Sequence, residues 1–235
     1  GTLIRVARVG KYMTADEVVP PEVERLAGLV GPGGDEILAE MEAHAREESF
    51  PIVGPAVGGW LALLARAVNA RRVFEFGSGF GYSAYWFARA LPPDGELVLT
   101  EVDEGELDLA REFFDRAGLT DRARFEHGDA LETVQRYDGP FDVVLLDNEK
   151  GRYREAFETV EPALRSGSLV LADNAVTAGT VVDRDEVIGL LAGEEIDARD
   201  RSEGIAEYIS FVREREDLDT SLLPLGEGVA VSRVR

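Results

Sequence analysis

From Arg72 onward, short apolar runs alternate with stretches whose apolar positions recur every three to four residues. "RVFEFG" (72–77), "ELVLTEVD" (96–103), "ARFEHGD" (123–129), "FDVVLLDN" (141–148) and "SLVLADN" (168–174) read as strands. Between them "YSAYWFARAL" (82–91), "EGELDLAREFFDRAG" (104–118), "ALETVQRY" (130–137) and "YREAFETVEPAL" (153–164) read as helices. Nearly unbroken apolar strands suit a parallel sheet covered on both faces, so the rhythm predicts an α/β fold. "TSLLPLGEGVAVSRV" (220–234) predicts two strands around a Gly-Glu-Gly turn, an antiparallel C-terminal hairpin closing the sheet. Ahead of the sheet, "TADEVVPPEVERLAGLV" (14–30, capped by Asp16), "GDEILAEMEAHAREE" (34–48) and "VGGWLALLARAVNA" (57–70) predict three helices. After Asn174 the pattern loosens until the hairpin. The expected organisation is a single domain over 1–235, with residues 1–49 as an N-terminal helical extension.

Composition changes this picture in two ways. The 235 residues carry 46 acids against 25 basic residues, a net charge of −21, and the acids are spread along the whole chain. Only Lys11 and Lys150 are lysines; the remaining basic residues are arginines. Dispersed acid with scarce lysine resembles the surfaces of proteins from salt-loving organisms, where about molar salt shortens the Debye length to about 3 Å and quiets self-repulsion. It disfavours nucleic-acid binding, which needs a basic face. With no cysteine there are no disulfides, thiolate metal sites or thiol nucleophile. The chain opens on Gly1 in place of Met, shows no signal peptide and no apolar run of about 20 residues, and a cytoplasmic location is expected.

In open α/β sheets, ligands gather at the carboxyl ends of the strands. Every one of the five predicted strands brings a carboxylate there: Glu75, Glu101 with Asp103, Asp129, Asp147 and Asp173. The first strand runs into Gly77-Ser78-Gly79-Phe80-Gly81, a turn that gives up side chains where a ligand approaches the backbone. A dinucleotide site wants G-x-G-x-x-G, and Tyr82 stands in place of its third glycine. An acid two residues before the first glycine is also unhelpful beside a pyrophosphate. The pattern suits a nucleoside carrying an ammonium, S-adenosylmethionine. Glu101 is placed to accept from both ribose hydroxyls, and Asp129 to meet the adenine amino group. Together these predict a class I S-adenosylmethionine-dependent methyltransferase with a Rossmann-like sheet.

Asp147, Asp173 and Asn174 end two strands that should be neighbours. Two carboxylates and an amide oxygen form a hard-oxygen set suited to Mg²⁺, with Ca²⁺ or Mn²⁺ as alternatives. The plainer reading is a helix cap and a turn, but two of the chain's three asparagines, Asn148 and Asn174, stand at this rim. Lys150 follows closely in a chain that otherwise uses arginine. Unlike arginine, a lysine near a cation or in a dry pocket can give up its proton near neutral pH, as a general base must. His44 and His127 read as structural or surface residues.

"FEFGSGFGYSAYWFARALPPDGELVLTEVD", "FDVVLLDNEKGRY", "SLVLADNAV" and "LLPLGEGVAVSRV" resemble the cation-dependent O-methyltransferases, the family of the catechol and caffeoyl-CoA enzymes. The resemblance runs from about Phe50 to Arg235. It implies that Val53 contacts the methionine part of the cofactor and that Glu75, Gly77, Gly79, Gly81, Tyr82 and Ser83 form its methionine-binding turn. Glu101 falls at the ribose, Asp129 and Ala130 at the adenine, Val102 is a further cofactor-binding residue, and Asp147 touches both cofactor and cation. Asp147, Asp173 and Asn174 match the metal ligands, and Lys150 the catalytic lysine. Asn148-Glu149 departs from the "DADK" of plant and bacterial relatives and from the His-Trp pair of the mammalian catechol enzyme. The implied reaction is methyl transfer to a vicinal dihydroxy aromatic small molecule by a homodimer. Two other readings remain at this stage: the same chemistry on a hydroxylated tRNA nucleoside, and a non-catalytic S-adenosylmethionine-binding protein.

Overall fold

Four of the five runs become parallel strands because little that is polar interrupts either face, while the run 123–127 pairs at the sheet edge with Arg124 and His127 exposed. In a computed structural model, which describes residues 18–235, the five are β1 (Arg72–Phe76), β2 (Glu96–Glu101), β3 (Ala123–His127), β4 (Val143–Leu146) and β5 (Leu169–Ala172). The C-terminal hairpin is β6 (Leu218–Leu223) and β7 (Val229–Val234). The sheet order is β3-β2-β1-β4-β5-β7-β6. Pairs from β3 through β5 are parallel, while β7 is antiparallel to both β5 and β6 and lies between them. The chain runs outward from β1 to β3, then returns to β4 on the other side of β1. That reversal opens a crevice above the ends of β1 and β4, the usual place for a ligand.

Successive side chains of a strand point to opposite faces, and the two cores follow that rule. Val73, Leu97 and Leu145 pack with helices α2 (Glu36–Glu48), α3 (Gly54–Ala67), α4 (Tyr82–Ala90) and α5 (Glu104–Arg116). Phe74, Val98 and Val144 pack on the other face with α6 (Ala130–Val134), α7 (Tyr153–Val160) and α9 (Asp200–Arg213). Both faces of the sheet are therefore dry, as the unbroken apolar strands require.

Local departures from the sequence reading have local causes. The first helix, α1 (Pro21–Val30), starts at Pro21, whose fixed φ and missing N–H suit a helix start. Asp16 and the beginning of that predicted helix lie outside the described residues, as do Gly1 and Lys11. Helix α3 starts at Gly54, with Pro55 in its first turn, and stops before Asn69, whose backbone is left-handed (φ 53°). The stretch after Asn174 holds two helices that sequence reasoning left unassigned, α8 (Arg184–Ala192) and α9. Asp183 caps α8 by accepting from Asp185 N at 2.9 Å, and α9 buries Ile205, Tyr208 and Val212 at helical spacing. Among the described residues no helix is long and apolar enough to cross a membrane.

Candidate active site

A cleft of about 720 Å³ opens above the carboxyl ends of β1, β2, β4 and β5. Its floor is the glycine turn. At Gly77 (φ 80°) a side chain would meet the Asp147 carbonyl oxygen at 2.7 Å, so only glycine lets the turn pass between β1 and the end of β4. At Gly79 (φ 48°) a side chain would strike the Phe50 ring at 2.6 Å. Phe50 in turn packs edge-on against Phe80, with ring centroids 5.1 Å apart. The glycines thus let the segment after α2 press down on the turn and narrow the cleft from above.

Glu75 lies beneath the turn, fully buried, and accepts from the Ser83 hydroxyl. Its second oxygen is buried without a hydrogen-bond partner. Removal from water raises its pKa to about 8, with Asp147 and Glu101 adding repulsion and the Ser83 hydrogen bond opposing the rise. A buried, unpartnered carboxyl oxygen is a ready acceptor for an ammonium. Glu101 sits on the rim of the cleft. One of its oxygens accepts from Gly79 N at 2.8 Å, the other from Val102 N at 2.7 Å and Asp103 N at 3.0 Å. These amides fix the carboxylate and leave one acceptor site free, on the oxygen that meets Gly79.

Across the crevice, β4 and β5 pair with Leu146 opposite Ala172, which brings Asp147 and Asp173 side by side as the next residues. Asp173 and Asn174 are almost fully buried. Asp173 Oδ1 has no hydrogen-bond partner, and burial followed by repulsion from Asp147 raises the Asp173 pKa to about 8. Asp147 is raised as well, mainly by burial, with Lys150 opposing. Lys150 Nζ donates to Asp147 Oδ1 at 2.8 Å and to the Tyr153 hydroxyl at 2.9 Å; that hydroxyl donates to the Asp173 carbonyl at 3.2 Å. Asn174 has a left-handed backbone (φ 54°), which asparagine tolerates better than most residues. Its amide donates to Glu227, so the amide oxygen is turned away from that carboxylate and stays available. Among the described residues no three His, Cys, Asp or Glu side chains gather as a metal cage, so a cation here needs the amide oxygen of Asn174 as its third donor.

Of the sequence-predicted residues, Val53, Gly77, Gly79, Tyr82, Ser83, Glu101, Asp147, Lys150, Asp173 and Asn174 line one cleft. Glu75 stands behind Ser83, and Gly81 is spent on starting α4. Val102, Asp129 and Ala130 do not line it. Val102 points to solvent, Ala130 begins α6, and Asp129 is engaged in capping that helix (Leu131 N, 2.8 Å) and in pairing with Arg152 at 2.9 Å. Glu227 was missed. It sits in the Gly226-Glu227-Gly228 turn of the hairpin and bonds both Asn174 and Gly179 N, the latter at 3.1 Å. The signal was an acid between two glycines, which the hairpin reading treated as connector.

A family model described as "O-methyltransferase" matches residues 34–234, nearly the whole chain. The chain belongs to the O-methyltransferase family. It is 36% identical over 166 residues to a catechol O-methyltransferase of Niastella koreensis, covering 68% of this chain and 75% of that one. A catechol O-methyltransferase of Mycobacterium tuberculosis is 32% identical over 166 residues, covering 69% and 76%. Among solved structures, the O-methyltransferase TomG of Streptomyces achromogenes, involved in tomaymycin synthesis and in complex with S-adenosylmethionine, superposes with a TM-score of 0.78 at 27% identity over 91% of this chain and 96% of that one. An O-methyltransferase of Bacillus cereus bound to S-adenosylhomocysteine gives 0.77 at 28% identity, over 91% and 97%. This O-methyltransferase uses S-adenosylmethionine, and the seven-stranded sheet is the family's fold.

Proposed function

We propose that this O-methyltransferase requires a divalent cation, Mg²⁺ in the first place, and methylates one hydroxyl of a vicinal dihydroxy aromatic small molecule. The observation that carries the reading is the meeting of Asp147 and Asp173 at the ends of paired strands, where a buried Asp173 oxygen has no hydrogen-bond partner beside the only lysine among the described residues. Asp147, Asp173 and Asn174 would hold the cation. When bound, the cation supplies charge that favours the ionised form of a hydroxyl, and S-adenosylmethionine supplies the methyl group.

The chain's own residues do the rest. Ser83 and Glu75 would take the ammonium of the cofactor, Val53 and the Gly77–Tyr82 turn its methionine part, and Glu101 its ribose. Val102, Asp129 and Ala130, further along the rim and outside the lining of the cleft, are assigned to the adenosine end. Lys150 Nζ accepts the proton of the acceptor hydroxyl, while Asp147 and Tyr153 fix the direction of that nitrogen. The contribution of the fold is then proximity and alignment of oxygen with methyl carbon. A homodimer is part of the same proposal; exposed apolar side chains on α1 and α3 (Leu29, Val30 and Leu63) offer surface for it.

The test is Asp173→Ala, measured with catechol in Mg²⁺ and in chelator. Metal-dependent turnover should vanish while S-adenosylhomocysteine binding stays within about threefold. Wild-type rates in chelator, for either protein, would exclude the metal role.

A further inference from the structure

The cleft holds one cation beyond Lys150, and its position was not anticipated from the sequence. Arg201 lines the same cleft as Asp173, Lys150 and Glu227. It lies in the first turn of α9, where the helix dipole favours an acid rather than a base. The placement of its helix is set by a neighbour one turn on. Gly204 presses α9 against the turn that carries the catalytic lysine: a Cβ at 204 would stand 2.7 Å from the Lys150 carbonyl oxygen and 2.6 Å from Gly151 Cα. Residues three apart share a helix face, so Arg201 stands on the face of α9 that meets this turn.

Arg201 is exposed and, among the described residues, has no hydrogen bond, ion pair or ring contact. Acid is plentiful around it in a chain of net charge −21, and Arg199, two residues earlier, pairs with both Asp183 and Glu186. Glu24 lines the same cleft and leaves Arg201 unpaired too. Ala178, Gly179 and Val181 also line the cleft and give it apolar surface of the kind a ring packs against. A fixed guanidinium fork matches a carboxylate with two parallel hydrogen bonds.

We infer that Arg201 is a specificity-determining residue and that the acceptor carries a carboxylate as well as its two hydroxyls: a dihydroxy aromatic acid rather than a neutral or cationic catechol. This rests on the acceptor class proposed above. No role in proton transfer is assigned to Arg201.

The experiment compares 3,4-dihydroxybenzoate, catechol and dopamine as acceptors for wild type, Arg201→Gln, Arg201→Lys and Arg201→Glu, each with Mg²⁺ and S-adenosylmethionine. Wild type should favour the acid over catechol in kcat/KM. Arg201→Gln should lose about 10- to 100-fold on the acid, mostly in KM, the scale of one charged hydrogen-bonded pair. Catechol should stay within about twofold, Arg201→Lys should recover part of the loss, and Arg201→Glu should turn the preference toward dopamine. Equal losses on acid and catechol, or a wild type that methylates catechol at least as well as the acid, overturn the inference while leaving the catechol reading standing. Absence of turnover with all three acceptors in wild type overturns the acceptor class itself, and this inference with it.

Discussion

Lys150 Nζ and the phenol of Tyr153 are hydrogen-bonded at 2.9 Å, and the phenol in turn donates to the Asp173 carbonyl oxygen at 3.2 Å. Tyr153 is fully buried, with a pKa pushed well above its ordinary value by burial and the nearby acids, so it stays a neutral donor throughout the working range. It is a fixed peg between the lysine and the strand that ends in Asp173. Tyr153→Phe should lower kcat by about 3- to 10-fold and move the pH profile, with little change in S-adenosylhomocysteine affinity. An unaltered profile would remove the peg from the account.

Lys150→Arg keeps a positive charge but cannot give up its proton. A loss of about 100-fold or more in kcat is expected, the scale of a general base, with cofactor binding kept. Single-turnover rates across pH measure it. Near-wild-type rates in the arginine variant would mean that charge alone is needed.

Glu75 gives a prediction whose sign follows from burial. Its folded-state pKa, about 8, lies above the ordinary 4.5 of the unfolded chain. Between these values the folded protein holds a proton that the unfolded chain has released, so the ligand-free enzyme loses stability as pH rises from about 4.5 to about 8. An ammonium placed on Glu75 favours the ionised form, so cofactor binding should release a proton near neutral pH and tighten up to about pH 8. Glu75→Gln should flatten the stability slope by about one proton and weaken cofactor binding by about 10- to 100-fold. Calorimetry in buffers of different ionisation heat reads the proton directly.

Gly204→Ala places a methyl group into the Lys150–Gly151 backbone. Overpacking of this kind costs about 1–3 kcal/mol, and here the strain falls on the turn that aims the lysine. Melting temperature should drop by several degrees and kcat should fall more than cofactor affinity. Wild-type kcat in a destabilised variant would show that the turn yields without consequence.

Salt tests the charge argument. Exposed acids repel at low ionic strength, so the melting temperature should climb from 0.1 M to 2 M KCl. A flat curve would argue against adaptation of this surface to salt.

Strands β1, β2, β4 and β5 were legible because they are apolar on both faces for most of their length, β3 (an edge strand with Arg124, Glu126 and His127) from its place in the alternation, and the rim residues followed from where each run stopped. The tight turn after β1 was legible in the spacing of Gly77, Gly79 and Gly81. Helix α9 was not, because Ser202, Gly204 and Ala206 dilute its buried face with small residues while Glu203 and Glu207 make it look like solvent-exposed chain. The same dilution lets α9 approach the Lys150 turn, so the feature that hid the helix is the one that gives it a function. Asp129 illustrates the converse. Its position on the rim was legible, but Arg152, a helix away in sequence, engages its carboxylate. Glu227 and Arg201 reach the cleft through tertiary placement, which no spacing rule encodes.

Strand β7 comes last of the seven in chain order, yet it fills an interior slot of the sheet between β5 and β6, and the loop before it delivers Glu227 to Asn174. Until the hairpin is in place, the edge of β5 beside Asp173 and Asn174 has no strand to pair with. The final segment thus serves two ends at once, sealing the sheet and holding the asparagine at its rim.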